Sequence, residues 1–279
     1  MKILKLSLAS LVVVGSLFAT VDVDTKVFTF EKQRFLSGQG LKLTNISIAK
    51  KVELSLDGWF GYVLNIQANV PNRGLVSGSD MLFSNGEAVA TDLISMKDGS
   101  SFKDLLTPHV TASYYQKDHL IAGNENAKNK VVVFSDPLCP ACISSVPGMI
   151  KKSSDKANDI ALYYYHFPLL SLHPAAGALS KAMIVAKQKG VENVEMKVLE
   201  ANFSAYFSSD EKNSQKILDG FNKVFKTDIT LTDINEVAIG NEASKDFKMG
   251  EDVMVQGTPT LFVNGTNDKT RRLFGALGQ

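Results

Sequence analysis

Cysteine is scarce in this chain: two in 279 residues, too few for a framework of structural disulfides. Histidine is scarce too. His109, His119, His166 and His173 include no close ligand pair, and with two cysteines no four-ligand zinc set can be assembled by spacing alone. A net charge of one sign is also missing. Thirty basic against 29 acidic residues give +1, so nothing points to nucleic acid or to an anionic membrane surface. Repeats and low-complexity tracts are absent. No apolar run is long enough to span a bilayer: the mainly apolar stretch Leu6–Ala19 has 14 residues, against about 20 required.

That stretch follows Lys2 and Lys5 and precedes Thr20-Val21-Asp22. It has the basic start, apolar middle and cleavage region of a secretory signal, with the cut expected after Ala19 and an uncleaved anchor as the alternative. Residues 1–19 are therefore expected to be a signal peptide. No cysteine lies near the cut, so a lipid anchor is not expected. Export fits the chemistry below, because disulfides persist in oxidising compartments. At 44% hydrophobic and 21% charged, the remainder has the composition and length of about two globular domains.

Both cysteines fall in Lys130–Cys142, KVVVFSDPLCPAC. Val131, Val132, Val133 and Phe134 form a short β-branched and aromatic run without alternation, the pattern of a strand buried on both faces. Ser135, Asp136 and Pro137 end it. Pro140 has its φ pre-set for the first position of a helix, which puts Cys139 at that helix's N-terminus. Free backbone N–H groups and the helix dipole there favour a thiolate, the nucleophile of disulfide exchange. Cys142 lies one turn on, placed to pair with Cys139 or to attack it when it is linked to another protein. This assigns Cys139 as attacking and Cys142 as resolving cysteine. A purely structural bridge is the competing reading, but a two-residue loop constrains little chain.

Downstream, Gly257-Thr258-Pro259-Thr260-Leu261-Phe262-Val263-Asn264-Gly265 reads as turn, strand and turn. Pro259 opens the strand, where a missing N–H is tolerated, and Asn264-Gly265 is a hairpin dipeptide.

The CPAC motif, with Pro147 five positions after Cys142, resembles the thioredoxin superfamily, and the strand ending FSDPLC looks most like the DsbC/DsbG branch of periplasmic disulfide isomerases. The resemblance implies that Thr258–Pro259 is a cis-proline loop packed against the two cysteines, where it receives the substrate's extended chain. It implies that Pro140 and Ala141 tune the pair. Ala141 lacks the side-chain donor of the His found there in DsbA oxidases, so a moderately oxidising pair is expected, and Thr258 matches the isomerase branch, where the oxidases carry Val.

The same resemblance implies an α+β architecture. A small N-terminal cystatin-like dimerisation domain (20–100) is joined by a linker helix (101–122) to a thioredoxin-like catalytic domain (123–279) with a helical insertion at about 170–250. The residues themselves predict a helix over Asp24–Ser37, one long or two short strands over Leu41–Leu56, and a return strand over Trp59–Val70. A further hairpin is predicted from Met81-Leu82-Phe83 and Val89–Ile94, and a helix over Ser101–Tyr115 that Pro108 kinks or divides. After the motif, a strand over Ile160–Phe167 and helices over Pro174–Lys189, Asn193–Phe203, Glu211–Phe225 and Glu242–Val253 are predicted. His166, inside the strand, reads as a core histidine, since the exchange runs without a protein base.

Two features depart from the DsbC pattern. The length between Cys142 and Pro259 is closer to that of DsbA oxidases, and little chain remains for a final helix. The expected function is accordingly a periplasmic thiol:disulfide oxidoreductase of exported, cysteine-containing proteins. It is either a homodimeric isomerase or reductase kept reduced by a DsbD-like membrane thiol reductase, or a dimeric oxidase served by a DsbB-like quinone-linked partner. A chaperone for unfolded chains is a third reading. No cofactor or metal is expected.

Overall fold

The computed structural model describes residues 22–36, 42–71 and 74–279; the expected signal at 1–19 lies outside them. The described residues fall into two compact units, divided between Leu106 and Thr107.

In the first unit α1 (Val23–Leu36) precedes an antiparallel meander of β1 (Lys42–Glu53), β2 (Phe60–Val70), β3 (Gly74–Ser84) and β4 (Val89–Ala90), paired in that order. The alternation along β2 explains the packing. Tyr62, Leu64 and Ile66 turn to one face and bury against Leu82 and Val27. Each such side chain contributes roughly 1.5–3 kcal/mol by leaving water. The chain over 42–53 forms one strand whose pairing with β2 slips between Leu43 and Asn45 and between Ile48 and Lys50. At the turn into β2, Gly58 takes φ +71°, a conformation that favours glycine. β3 begins at Gly74, well ahead of the Met81-Leu82-Phe83 run. Its Gly- and Ser-rich first half, whose apolar Leu75 and Val76 are exposed, is held by its ladder with β2.

The helix expected over 101–115 is corrected by the structure. Only α2 (Lys103–Leu106) is helical there, followed by 3-10 turns at Ala112–Tyr114 and Lys117–His119. Pro108 supplies no amide and forces Thr107 out of the helical region, so α2 stops just before it. Leu106 is fully buried, with its side chain against Gly61 of β2.

The second unit is built on β5 (Leu120–Ala122), β6 (Asn129–Ser135) and β7 (Ile160–His166), with α3 (Pro140–Asp155) crossing between the last two. Then come α4 (Ala176–Gln188), α5 (Val194–Glu200), α6 (Ser214–Phe225), α7 (Leu231–Ile234) and α8 (Val237–Asp252), before β8 (Thr260–Val263), β9 (Thr266–Asn267) and α9 (Arg272–Ala276). The strand order is β5-β7-β6-β8-β9, with β6 parallel to β7 and antiparallel to β8.

β6 is central and covered on both sides. Val131 and Val133 face Cys142, Val146, Leu179 and Tyr164, while Val132 and Phe134 face Tyr163, Tyr165 and Phe262. That double burial is why the run shows no alternation. α7 is too short to leave a periodic signal, and α8 starts earlier than expected because Val237 is an exposed apolar residue outside the buried stripe.

Candidate active site

β6 delivers the chain to the site. After Ser135 the strand ends, and the Cys139 amide donates to the Asp136 carbonyl at 3.2 Å, closing the turn that aims the next residues into α3. Cys139 is the N-cap residue of α3 in an extended conformation, with Pro140 in the first helical position and no side-chain cap over the helix end. The first amides of α3 are thus left without a side-chain acceptor beside the Cys139 sulfur.

From the far end of the sequence, β8 brings Thr258 to the same place. The Cys139 thiol donates to the Thr258 carbonyl at 3.3 Å, and the Thr258–Pro259 peptide bond is cis. Thr260 donates its hydroxyl to the Gly257 carbonyl at 2.7 Å, tying the loop's ends, while the Asn264-Gly265 turn, with φ +50° and +86°, starts the return into β9. The structure therefore brings Cys139, Cys142 and Thr258 together. Pro140 and Ala141 stand exposed on the first turn of α3, and Pro259 is half-buried at the mouth of β8.

The two sulfurs are both free and differ in setting. Cys139 keeps 7% of its surface in contact with solvent and Cys142 none. Burial pushes the Cys142 thiol up to about 11, although the Ser135 hydroxyl, the Asp136 amide and the Thr258 hydroxyl each ease its ionisation. Cys142 therefore stays a neutral thiol at neutral pH, whereas Cys139 is the sulfur a partner can reach.

Two residues that sequence reasoning left aside shape this turn. Asp136 is completely buried; its carboxylate accepts from the amides of Leu138 and Leu169, both at 2.7 Å, and meets His173 Nδ1 at 3.0 Å. Its backbone and side chain together hold the cysteine turn to the segment that follows β7. Nothing local in SDP distinguishes it from an ordinary turn acid, and His173 carries no partner in sequence.

His166 is buried. Its amide donates to Asp246 at 3.0 Å, and Asp246 also accepts from His119, with Nε2 at 2.7 Å, so the histidines of this strand and turn serve a buried network. Among the described residues, no group of three or more His, Cys, Asp or Glu could hold a metal ion, and no helix is long and apolar enough to cross a membrane.

Residues 115–273, more than half of the chain, match the family model described as thioredoxin. The chain belongs to the thioredoxin family. Within it, one relative is a probable disulfide bond formation protein D of Bacillus cereus, 25% identical over 160 residues, which span 51% of this chain and 68% of that protein. A protein of the same name from Bacillus anthracis is 26% identical over 151 residues, again 51% of this chain and 68% of the relative. Among solved structures, the oxidised BdbD of Bacillus subtilis aligns at a TM-score of 0.44 and 17% identity, covering 58% of this chain and 88% of that one. The DsbA2 of Pseudomonas aeruginosa aligns at 0.40 and 18%, covering 54% and 84%. The thioredoxin-type unit thus has its family, with an α+β sheet and helices around the CPAC turn.

Proposed function

We propose that this protein is a thiol:disulfide oxidoreductase of exported, cysteine-containing proteins, with Cys139 attacking and Cys142 resolving, and that it works chiefly as a dithiol oxidase. The observation that carries the reading is the contact of the Cys139 sulfur with the Thr258 backbone, while a second sulfur lies wholly buried one helical turn on. A reachable sulfur at an uncapped helix end, beside backbone to which an extended chain can pair, suits exchange with an unfolded partner. The relatives' name, disulfide bond formation protein, supports the oxidising direction.

In that direction a client thiolate attacks Cys139 Sγ of the Cys139–Cys142 disulfide. The S–S bond breaks and its electron pair leaves on Cys142. A second client thiolate then attacks the client's own sulfur in the mixed disulfide and releases Cys139 as thiolate. The client has lost two electrons and the enzyme has gained them, and a DsbB-like quinone-linked membrane oxidase would remove them. Residues 1–19 would direct the chain to the periplasm.

A second reading is a homodimeric isomerase or reductase of the DsbC/DsbG type, kept reduced by a DsbD-like membrane thiol reductase. Thr258 before Pro259 favours it, as does the separate helix-and-meander unit ending at Leu106, which would be the dimerisation domain. Chaperone activity would accompany it.

Thiol trapping in the cell separates the two. A mainly disulfide Cys139–Cys142 pair is expected for the oxidase, and a mainly dithiol pair would turn the assignment to the isomerase. Absence of covalent client adducts in a Cys142→Ser variant, with identical behaviour of Cys139→Ser, would remove both.

A further inference from the structure

The face of the sheet that carries the cysteines also carries a set of hydroxyls. Along β6, side chains alternate, so Ser135 continues the row of Val131 and Val133 toward the core that holds Cys142. On the parallel neighbour β7, Val133 stands opposite Tyr164, which lies in that same core. Thr258 arrives from the other side on the loop before β8. The hydroxyl oxygens of Ser135, Tyr164 and Thr258 are all buried, and none makes a well-formed hydrogen bond within the protein, although Ser135 and Thr258 lie close enough to the Cys142 sulfur to ease its ionisation.

Three buried hydroxyls gathered in one core without a well-formed hydrogen bond to a protein group are unusual, because an unmade hydrogen bond in the interior costs free energy. In the dithiol form the sulfur among them is a neutral thiol, a weak acceptor. The same sulfur carrying a full negative charge would be a strong one.

We propose that Ser135 and Tyr164, together with Thr258, form a preorganised thiolate-binding pocket for Cys142, whose hydroxyls turn onto the sulfur when the Cys139–Cys142 bond opens or is about to close. The proposal rests on the exchange chemistry assigned above and deepens it by naming the residues that serve the buried sulfur. When the bond opens, its electron pair goes to Cys142 Sγ, and the pocket stabilises that charge before a proton arrives. When the bond closes, Cys142 Sγ must shed its proton and attack Cys139 Sγ in the mixed disulfide, expelling the partner's thiolate. In both directions the charge sits on Cys142 Sγ.

The neighbouring groups agree with this role. Burial raises the Tyr164 phenol well above its ordinary range, so Tyr164 stays a donor and does not compete as an anion. The charged and titratable groups that face the pocket are Cys139 on α3, Asp136 after β6, and Glu195 on α5, while His166 packs edge-on to the Tyr164 ring with centroids 5.1 Å apart. None of the three hydroxyls titrates near neutrality, so the pocket supplies dipoles that need no change of charge to act.

Stopped-flow reaction of the dithiol protein with 5,5′-dithiobis(2-nitrobenzoate) tests this. One thionitrobenzoate is released when Cys139 is loaded, and a second when Cys142 closes the ring. Ser135→Ala and Tyr164→Phe are each expected to slow the second release relative to the first by about tenfold at pH 7, the loss expected for one hydrogen bond to a charged group. They should also move the pH profile of the second release upward. Ser180→Ala, which removes another buried unpartnered hydroxyl, in α4, is the control and keeps both rates. An unchanged ratio of the two phases in both test variants, or a slowing that is the same at every pH, overturns the pocket. Absence of the first release in the unaltered protein would instead strike the assignment of Cys139 itself.

Discussion

Asp136 and His173 meet at 3.0 Å beneath the cysteine turn, the carboxylate fully buried and the imidazole half-buried. The same carboxylate takes the Leu138 and Leu169 amides, so one side chain satisfies donors from both segments that flank the site. Asp136→Ala would strand these donors and is expected to destabilise the protein by about 3 kcal/mol, at the upper end for a lost buried partner. Denaturant unfolding measures it. A loss below about 1 kcal/mol would mean that water replaces the carboxylate.

The two sulfurs should label in order. With the Cys142 thiol pushed up to about 11, its thiolate fraction at pH 7 is on the order of one in ten thousand. Iodoacetamide at pH 7 is therefore expected to modify Cys139 of the dithiol protein and to spare Cys142. In a Cys139→Ser variant, Cys142 should react only on unfolding. Mass spectrometry of the peptides reads this directly, and rapid labelling of Cys142 in the folded variant would contradict the geometry.

Acid should weaken the fold through His166. Burial lowers its pKa, so the folded protein holds it neutral while an unfolded chain takes up a proton below about 6.5. The folded state then binds fewer protons, and the stability this group contributes is whole above about pH 6.5 and lost as pH falls below it. Thermal unfolding between pH 7 and pH 5 is expected to show a falling Tm, with a shallower fall in His166→Asn. An identical slope in the variant would assign the effect to other groups.

Gly123 stands where no side chain fits. Its φ is +84°, and a Cβ there would come within 1.8 Å of the Ile160 carbonyl oxygen, a backbone atom that cannot step aside. Gly123→Ala is expected to cost about 3 kcal/mol or more, from the strained conformation together with displacement of β7. A circular dichroism melt would show it. A variant as stable as the parent would mean that the β5–β6 connection can take another path.

The parts of the site that sequence makes legible are those with a local cause. The four-residue apolar run of β6 and a proline at the first helical position follow from residue chemistry within a few positions, while the Thr258–Pro259 loop beside the cysteines comes from the family resemblance, the residues alone giving only a turn and a strand. What could not be read is whatever depends on chain return. Ser135 looks like a strand end and Tyr164 like one of three consecutive tyrosines; only the parallel register of β6 with β7 puts both against Cys142. Asp136 gains its meaning from Leu169 and His173, more than thirty positions away. Pro108 ends the helix expected over 101–115 at Leu106 rather than only kinking or dividing it, and the first half of β3 is held by its partner strand rather than by its own composition.

The Cys139–Thr258 contact joins positions 119 apart, and six helices lie in the chain between β6 and the strand that delivers Thr258. Such distant closure is entropically slow compared with local winding. A partly folded copy can therefore own both cysteines and still lack the backbone cradle beside them. The cysteine turn and the backbone that would receive a partner thus become a single site only when the sheet is complete.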